Sequence, residues 1–202
     1  MNTKEGAACC LAVAAGLSID SDPANAYAGI SVLYRLLTRR PKDEVLLPFA
    51  PLIVEATRRA AACQSPTIRF LCTLIRIDSL WVLRGPPPHV AYDDTARELI
   101  DTIRMSSDRR DRRVLAQCVG PLCRVFGFRV ARHFPGLHGL LVGMTADSND
   151  AALVETGLAG LRALVLSAPG AFLADRIVLE TTLAAAVAAI VGRNSLVDID
   201  AA

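Results

Sequence analysis

The sequence predicts an all-α protein of the α-α superhelix class, built from HEAT- or armadillo-like helix pairs. The chain is 52% hydrophobic but has 5% aromatic residues. Most of its apolar side chains come from Ala, Leu and Val, and Ala and Leu favour helices. Similar segments also recur along the chain, each opening on Ser or Asp, which can cap a helix. They begin 43, 43 and 40 residues apart, at Asp22, Ser65, Asp108 and Ser148.

A repeat of this length is typical of helix pairs that stack into a solenoid, because one pair cannot bury its apolar face alone. We therefore expect a single helical-repeat domain over residues 1–202, with an N-terminal helix over 4–18 and about four helix pairs after it. The pairs are predicted near residues 22–62, 65–105, 108–145 and 148–192.

Prolines mark two further features of the helical pattern. Pro48 and Pro135 each lie within an apolar run, 87 residues apart, and predict a repeated bend inside a helix. The three prolines of Gly85–His89 exclude a helix and predict an extended loop over Arg84–Tyr92.

Charge and hydropathy limit the function classes. The net charge of +2 gives no basic field for nucleic acid. The most apolar segments are shorter than the roughly 18–20 residues that span a bilayer, so we interpret them as buried helices and expect no membrane insertion. These segments are Gly6–Ile19, Ala163–Ala174 and Thr181–Gly192.

Most of the cysteines lie among apolar neighbours, as buried thiols do, and predict a reduced, intracellular protein. We expect it in the cytoplasm and also in the nucleus. The cysteines are Cys9, Cys10, Cys63, Cys72, Cys118 and Cys123. The last two belong to a C-x4-C-x9-H-x4-H pattern that ends at His133 and His138 and suggests zinc. On a helix, however, residues five apart point about 140° from each other. We therefore predict core thiols, no metal and no cofactor.

Three groups of residues are candidates for partner binding, and each also has a structural interpretation. A cluster of four arginines can bind an acidic segment of a partner or lie in a solvated turn. Trp81 can anchor a partner or fill a repeat interface. Leu183 and Ile190 lie on a last helix that is apolar nearly all round and predict an interaction surface. The arginines of the first group are Arg109, Arg110, Arg112 and Arg113.

The stretch Arg112–Phe172 resembles the Tel-two-interacting protein two family, a HEAT-type subunit of the Triple-T cochaperone complex. The resemblance rests on the apolar run with Pro135 after His133, and on the helix Leu161–Leu166 with Ala168 and Pro169 near its end. It implies a scaffold that helps to assemble phosphatidylinositol-3-kinase-related kinases. By the same resemblance, the partners would be these kinases and the other Triple-T subunits.

No nucleophile elbow or glycine-rich phosphate loop is present in the sequence, so we expect a non-enzymatic adaptor. One alternative is another HEAT-type adaptor, of the trafficking or karyopherin-like kind, that binds a linear peptide. The other is a metal-dependent enzyme, which requires His89, His133, His138 or the cysteines to converge in space.

Overall fold

The computed structural model describes residues 3–39, 46–62, 65–82, 89–147 and 149–197. Every element in these ranges is a helix, which confirms the all-α class. The chain divides into two compact units, residues 1–95 and 96–202. The superhelical stacking of helix pairs stays a prediction, as does the single domain over residues 1–202.

Helices α1 to α4 belong to the first unit, and α5 crosses the boundary between the units at Thr95. A 3-10 helix, Leu47–Phe49, precedes α3. The bounds are α1 Thr3–Ser18, α2 Pro23–Thr38, α3 Ala50–Ala60, α4 Pro66–Val82 and α5 His89–Met105. Because α5 begins at His89, the predicted extended loop is wrong over residues 89–92. The rest of that prediction, over residues 84–88, lies outside the described residues.

The second unit continues with helices α6 to α11, and a 3-10 helix, Gly127–His133, precedes α8. The bounds are α6 Arg109–Ala116, α7 Val119–Phe126, α8 Phe134–Thr145, α9 Ala151–Ser167, α10 Pro169–Ala174 and α11 Arg176–Val197.

Aspartates cap several helices, as the segment starts predict. The Asp22 carboxylate accepts a hydrogen bond of 2.9 Å from the backbone N–H of Ala24, and the Asp108 carboxylate accepts one of 2.8 Å from that of Arg110. At the start of α9, Asp150 fulfils this role and accepts a hydrogen bond of 2.9 Å from Leu153. Each cap satisfies a backbone donor that has no partner within the helix.

The prolines of the predicted bends lie at helix starts. Pro48 is within the 3-10 helix that precedes α3, and Pro135 is in the first turn of α8, directly after the other 3-10 helix. Proline fits the first turn of a helix because the backbone N–H that it lacks has no partner there. The expected bend inside a helix is therefore wrong for both prolines, and each marks the point where a 3-10 helix changes into an α-helix.

In the first unit, α1 and α2 pack closely enough that one contact requires glycine. A Cβ added at Gly29 would lie 2.5 Å from the backbone nitrogen of Ser18 and 2.7 Å from the carbonyl oxygen of Ala14. Leu11, Ala14 and Ala15 are buried on this side of α1. They join a core with Ile30, Leu33, Ile53, Ile68 and Ile75.

In the second unit, α9 packs against α6, α7 and α8. Two glycines of α9 meet α8 directly. A Cβ added at Gly157 would lie 3.0 Å from the carbonyl oxygen of Leu141, and one at Gly160 would lie 2.5 Å from the Leu141 side chain. The residues buried around this contact include Leu115, Leu122, Leu137, Leu141, Leu161 and Leu164.

Among the described residues, the run Arg109–Thr145 has the length and the apolar composition of a membrane-spanning segment. It consists of α6, α7, the second 3-10 helix and α8. Of its most apolar window, 44% is buried inside the protein. Because core helices have the same character, the composition of this run is weak evidence for a membrane span.

Candidate functional site

Helix α11 carries an apolar surface that nothing in the described chain covers. Leu183 is 56% exposed and Ile190 is 61% exposed. Val187 and Val191 lie between and beside them and are equally open to solvent. Because residues three, four and seven apart share one side of a helix, these four side chains form one surface, which we call the α11 apolar face.

The sequence of α11 explains why this face exists. From Thr181 to Val191 the chain contains Thr, Leu, Ala, Val and Ile and no charged residue. A helix that packs against its unit on one side can bury about half of its circumference, so such a helix must leave apolar side chains in solvent. Leu183 and Ile190 were predicted from the sequence, whereas Val187 and Val191 were not, although their spacing of four and eight residues from Leu183 indicates the same side of the helix.

A different side of α11 packs against α8 through a buried histidine. His138 Nε2 lies 2.9 Å from the hydroxyl oxygen of Thr182, and that hydroxyl donates a hydrogen bond of 2.7 Å to the carbonyl oxygen of Val178. The imidazole also stacks on Phe134, with ring centroids 5.7 Å apart. Burial lowers the pKa of His138 below its ordinary value, and the nearby carboxylate of Asp175 opposes this effect.

The charged residues of α11 lie in its first turns and at Arg193, and the segment between them is uncharged. Arg176 Nε lies 2.6 Å from Glu180 Oε1 in an exposed pair four residues apart. The Asp175 carboxylate accepts a hydrogen bond of 2.9 Å from the backbone N–H of Ile177 at the helix start. A partner that covers the α11 apolar face therefore meets apolar atoms along the face and a self-paired charge before it.

The predicted arginine cluster is partly engaged within the second unit. Arg109 Nε lies 3.3 Å from an Asp147 oxygen, and Arg113 Nη1 lies 4.0 Å from an Asp150 oxygen. Both contacts join α6 to the turn that precedes α9. Both pairs lie at the surface and are at least partly exposed, and surface pairs contribute about 0.2–1 kcal/mol. Two of the four arginines therefore contribute to the stability of the fold and are not purely candidates for partner binding.

The other two arginines of the cluster have different surroundings. Arg112 donates a hydrogen bond of 2.9 Å from Nη2 to the carbonyl oxygen of Ser106, and its side chain is half-buried. Arg110 is exposed, and its backbone N–H is the donor to the Asp108 cap. Of the cluster, Arg110 is thus the side chain most open to a partner.

Trp81 lies in the last turn of α4, and His89 is the first residue of α5. Their side chains lie outside the described part of the chain, so the candidate role of Trp81 stays a prediction.

The cysteines and histidines of the zinc-like pattern lie in different surroundings. Cys118 and Cys123 are buried, and burial raises the pKa of both thiols, that of Cys123 to about 11. His138 faces Thr182 of α11, and His133 ends the second 3-10 helix. Within the described ranges, no group of three or more His, Cys, Asp or Glu side chains is placed to hold a metal ion.

An open groove of about 350 Å³ lies between α9 and the α6–α7 segment. Its walls are mostly small residues, with Gln117 and Glu155 as polar members. Its remaining lining residues are Ala116, Gly120, Thr156, Ala159 and Gly160. The groove could admit a side chain of a bound protein but holds no recognisable catalytic arrangement.

Comparison of this chain with protein-family models, curated proteins and solved structures found no match.

Proposed function

We propose that this protein is a non-enzymatic adaptor that binds a protein partner through the α11 apolar face. The observation that carries the proposal is the exposure of four large or β-branched apolar side chains on one side of an uncharged helix segment. Apolar patches of this kind typically mark interaction surfaces. Arg110 would supply polar contact elsewhere on the unit.

The size of the face indicates what kind of contact it makes. Full burial of a Val, Leu or Ile side chain contributes about 1.5–3 kcal/mol, so completing the burial of these half-exposed residues gives about 1 kcal/mol each. Association itself costs roughly 4 kcal/mol or more. Tight binding therefore requires adjoining surface beyond these four side chains.

The most specific form of the proposal is a Triple-T cochaperone subunit. Its support is the resemblance of Arg112–Phe172 to the Tel-two-interacting protein two family, together with the all-helical fold. In that form, the partners are the other Triple-T subunits and phosphatidylinositol-3-kinase-related kinases, and the protein acts inside the cell. The α11 apolar face would then contact one of the other subunits.

Affinity purification of the tagged full chain from its native cells tests the proposal. The test variant is Leu183→Glu with Ile190→Glu, which places two charges on the α11 apolar face. The matched control is Met105→Glu with Phe128→Glu, because these side chains are even more exposed (85% and 79%) and lie off that face. Circular dichroism checks that each variant keeps its helical content.

We expect the wild type and the control to recover the same stoichiometric partners and the test variant to lose them. Recovery of the other Triple-T subunits would support the family assignment. Recovery of an unrelated partner that depends on the α11 apolar face would keep the adaptor and remove Triple-T membership. If the test variant recovers the same partners as the wild type, the proposed surface is wrong.

A further inference from the structure

Two adjacent cysteines on α1 are exposed to solvent. Cys9 and Cys10 both lie on the surface, whereas Cys72, Cys118 and Cys123 are buried thiols. Unpaired cysteine is one of the residue types most often buried, and most of the cysteines lie among apolar neighbours in the sequence. The exposure of two neighbouring thiols is therefore the unexpected feature of this helix.

The packing of α1 explains why these cysteines face outward. Leu11, Ala14 and Ala15 form the side of α1 that packs against α2, and Ser18 continues this side at the helix end. On an ideal helix, Cys10 is rotated by about 100° from Leu11 and Cys9 by about 200°, so neither side chain points in the same direction as Leu11. Both thiols consequently point away from the core.

The exposed side of α1 is apolar as well as thiol-bearing. Val13 is 58% exposed and Leu17 is 37% exposed. Val13 is four residues from Cys9 and three from Cys10, so these side chains adjoin one another on the helix surface. We call Cys9, Cys10, Val13 and Leu17 the outer face of α1. The segment Gly6–Ile19 contains no charged residue.

We propose that Cys9 and Cys10 are sites of S-acylation by long-chain fatty acyl-CoA, and that the outer face of α1 then rests on a lipid bilayer. Cysteines on an apolar helix surface are typical sites of this modification. In the reaction, a cysteine sulfur attacks the acyl thioester carbon. A carbon–Sγ bond forms, the bond from that carbon to the coenzyme A sulfur breaks, and the cysteine proton passes to the released coenzyme A thiol.

Two adjacent cysteines can carry two acyl chains, which matters for the strength of membrane binding. A single acyl chain holds a protein on a membrane marginally and reversibly, whereas two signals give stable anchoring. Two neighbouring acyl chains supply both signals at one point of the helix. Val13 and Leu17 would enter the interface beside them. Since the outer face has no basic residue, this binding needs no anionic lipid and withstands salt.

Metabolic labelling tests the inference on the full chain. The tagged protein is expressed in cells that contain protein S-acyltransferases and is fed with an alkyne analogue of palmitate. Label that hydroxylamine releases is a thioester. The variants are Cys9→Ser, Cys10→Ser and the double substitution, and Cys72→Ser is the control at a buried thiol.

We expect hydroxylamine-sensitive label on the wild type and on Cys72→Ser, about half as much on each single α1 variant, and none on the double variant. An unlabelled wild type would overturn the proposal, and so would label that persists in the double variant. A non-reducing gel identifies the competing outcome, in which the exposed thiols join two copies through a disulfide and carry no acyl chain.

Membrane fractionation in high salt tests the second half of the proposal. Wild-type protein should sediment with membranes, and the double cysteine variant should stay in the soluble fraction. Leu17→Glu keeps both cysteines but places a charge on the outer face, so we expect it to be labelled yet less strongly retained. If labelled wild-type protein is fully soluble, α1 does not rest on a bilayer.

Discussion

Helices α9 and α11 both pack against α8, but they bury very different parts of themselves. Helix α9 places Leu153, Leu161 and Leu164 in the core and brings two glycines against α8. In the described part of α11, Ala189 is the buried apolar residue, Val178 and Leu179 are half-buried, and the other large apolar side chains lie in solvent. Both helices are strongly apolar in sequence. Apolar composition alone therefore does not decide whether a helix becomes core.

Close approach makes the difference between the two contacts. With no side chain at Gly157 and Gly160, the α9 backbone can lie against Leu141, and large residues on either side interdigitate with α8. Helix α11 contacts α8 through Thr182, and the leucine, isoleucine and valine side chains of its apolar face are exposed to solvent. Three experiments test this difference between α9 and α11.

The largest effect is expected from shortening a leucine in each helix. Leu164 of α9 is fully buried, so Leu164→Ala should lower the free energy of unfolding by about 2–5 kcal/mol through lost burial and a new cavity. Leu183→Ala on α11 should change it by no more than about 0.5 kcal/mol. Urea titrations of both variants measure the difference. Equal losses would mean that α11 is as much a core helix as α9.

An intermediate effect is expected from adding one methyl group at the α8–α9 contact. In Gly157→Ala the new Cβ would lie 3.0 Å from both the Leu141 carbonyl oxygen and the Thr145 methyl carbon. Crowding of this kind costs about 1–3 kcal/mol, which outweighs the gain of up to about 1 kcal/mol from replacing a helical glycine. Thermal unfolding should therefore show a lower Tm.

Gly139→Ala is the matched control, because this glycine of α8 is exposed and a Cβ there meets no atom within 4 Å. Its Tm should rise slightly, since alanine favours the helix. The comparison fails if both alanines shift the Tm in the same direction.

The smallest effect is expected from the pH dependence of the α8–α11 contact. Because the pKa of His138 is lower in the folded protein than its ordinary value of about 6.5, protonation favours unfolding. The stability that neutral His138 contributes is complete above about pH 6.5 and is lost as the pH falls toward the lowered pKa. The free energy of unfolding, measured at several pH values on either side of 6.5, reports this loss.

His138→Gln separates this loss from the titration of other groups. Glutamine can still hydrogen-bond to the Thr182 hydroxyl but does not titrate, so the variant should lose less stability on acidification than the wild type. An identical slope for the two proteins would exclude His138 as the cause.

Much of the secondary structure could be predicted because the cues are local. Asp22 and Asp108 cap helices through contacts within two residues, and such cues are readable from the sequence. The features that were predicted wrongly depend on competition between alternative local structures. Pro135 lies at a helix start and not at a bend because a 3-10 helix ends directly before it. At His89 a helix begins directly after the proline-rich segment, where an extended loop was predicted to continue to Tyr92.

The candidate surfaces were predictable in part, because exposure depends on which side of a helix finds a neighbour. Leu183 and Ile190 stood out by composition. Cys9 and Cys10 did not, since their outward direction follows from the burial of Leu11, Ala14 and Ala15 against α2. Likewise, the pairing of Arg109 with Asp147 depends on a turn 38 residues further along the chain.

The Thr182 hydroxyl has a consequence for magnetic resonance. A hydroxyl has one hydrogen, and this one is donated to the Val178 carbonyl oxygen, so the Thr182 oxygen must accept from His138. The neutral imidazole is thereby fixed as the Nε2–H tautomer, with Nδ1 bare. The two ring nitrogens then give well-separated nitrogen-15 shifts, and those shifts converge if α11 leaves α8. A single labelled histidine thus reports whether a partner binds the docked helix or pulls it away.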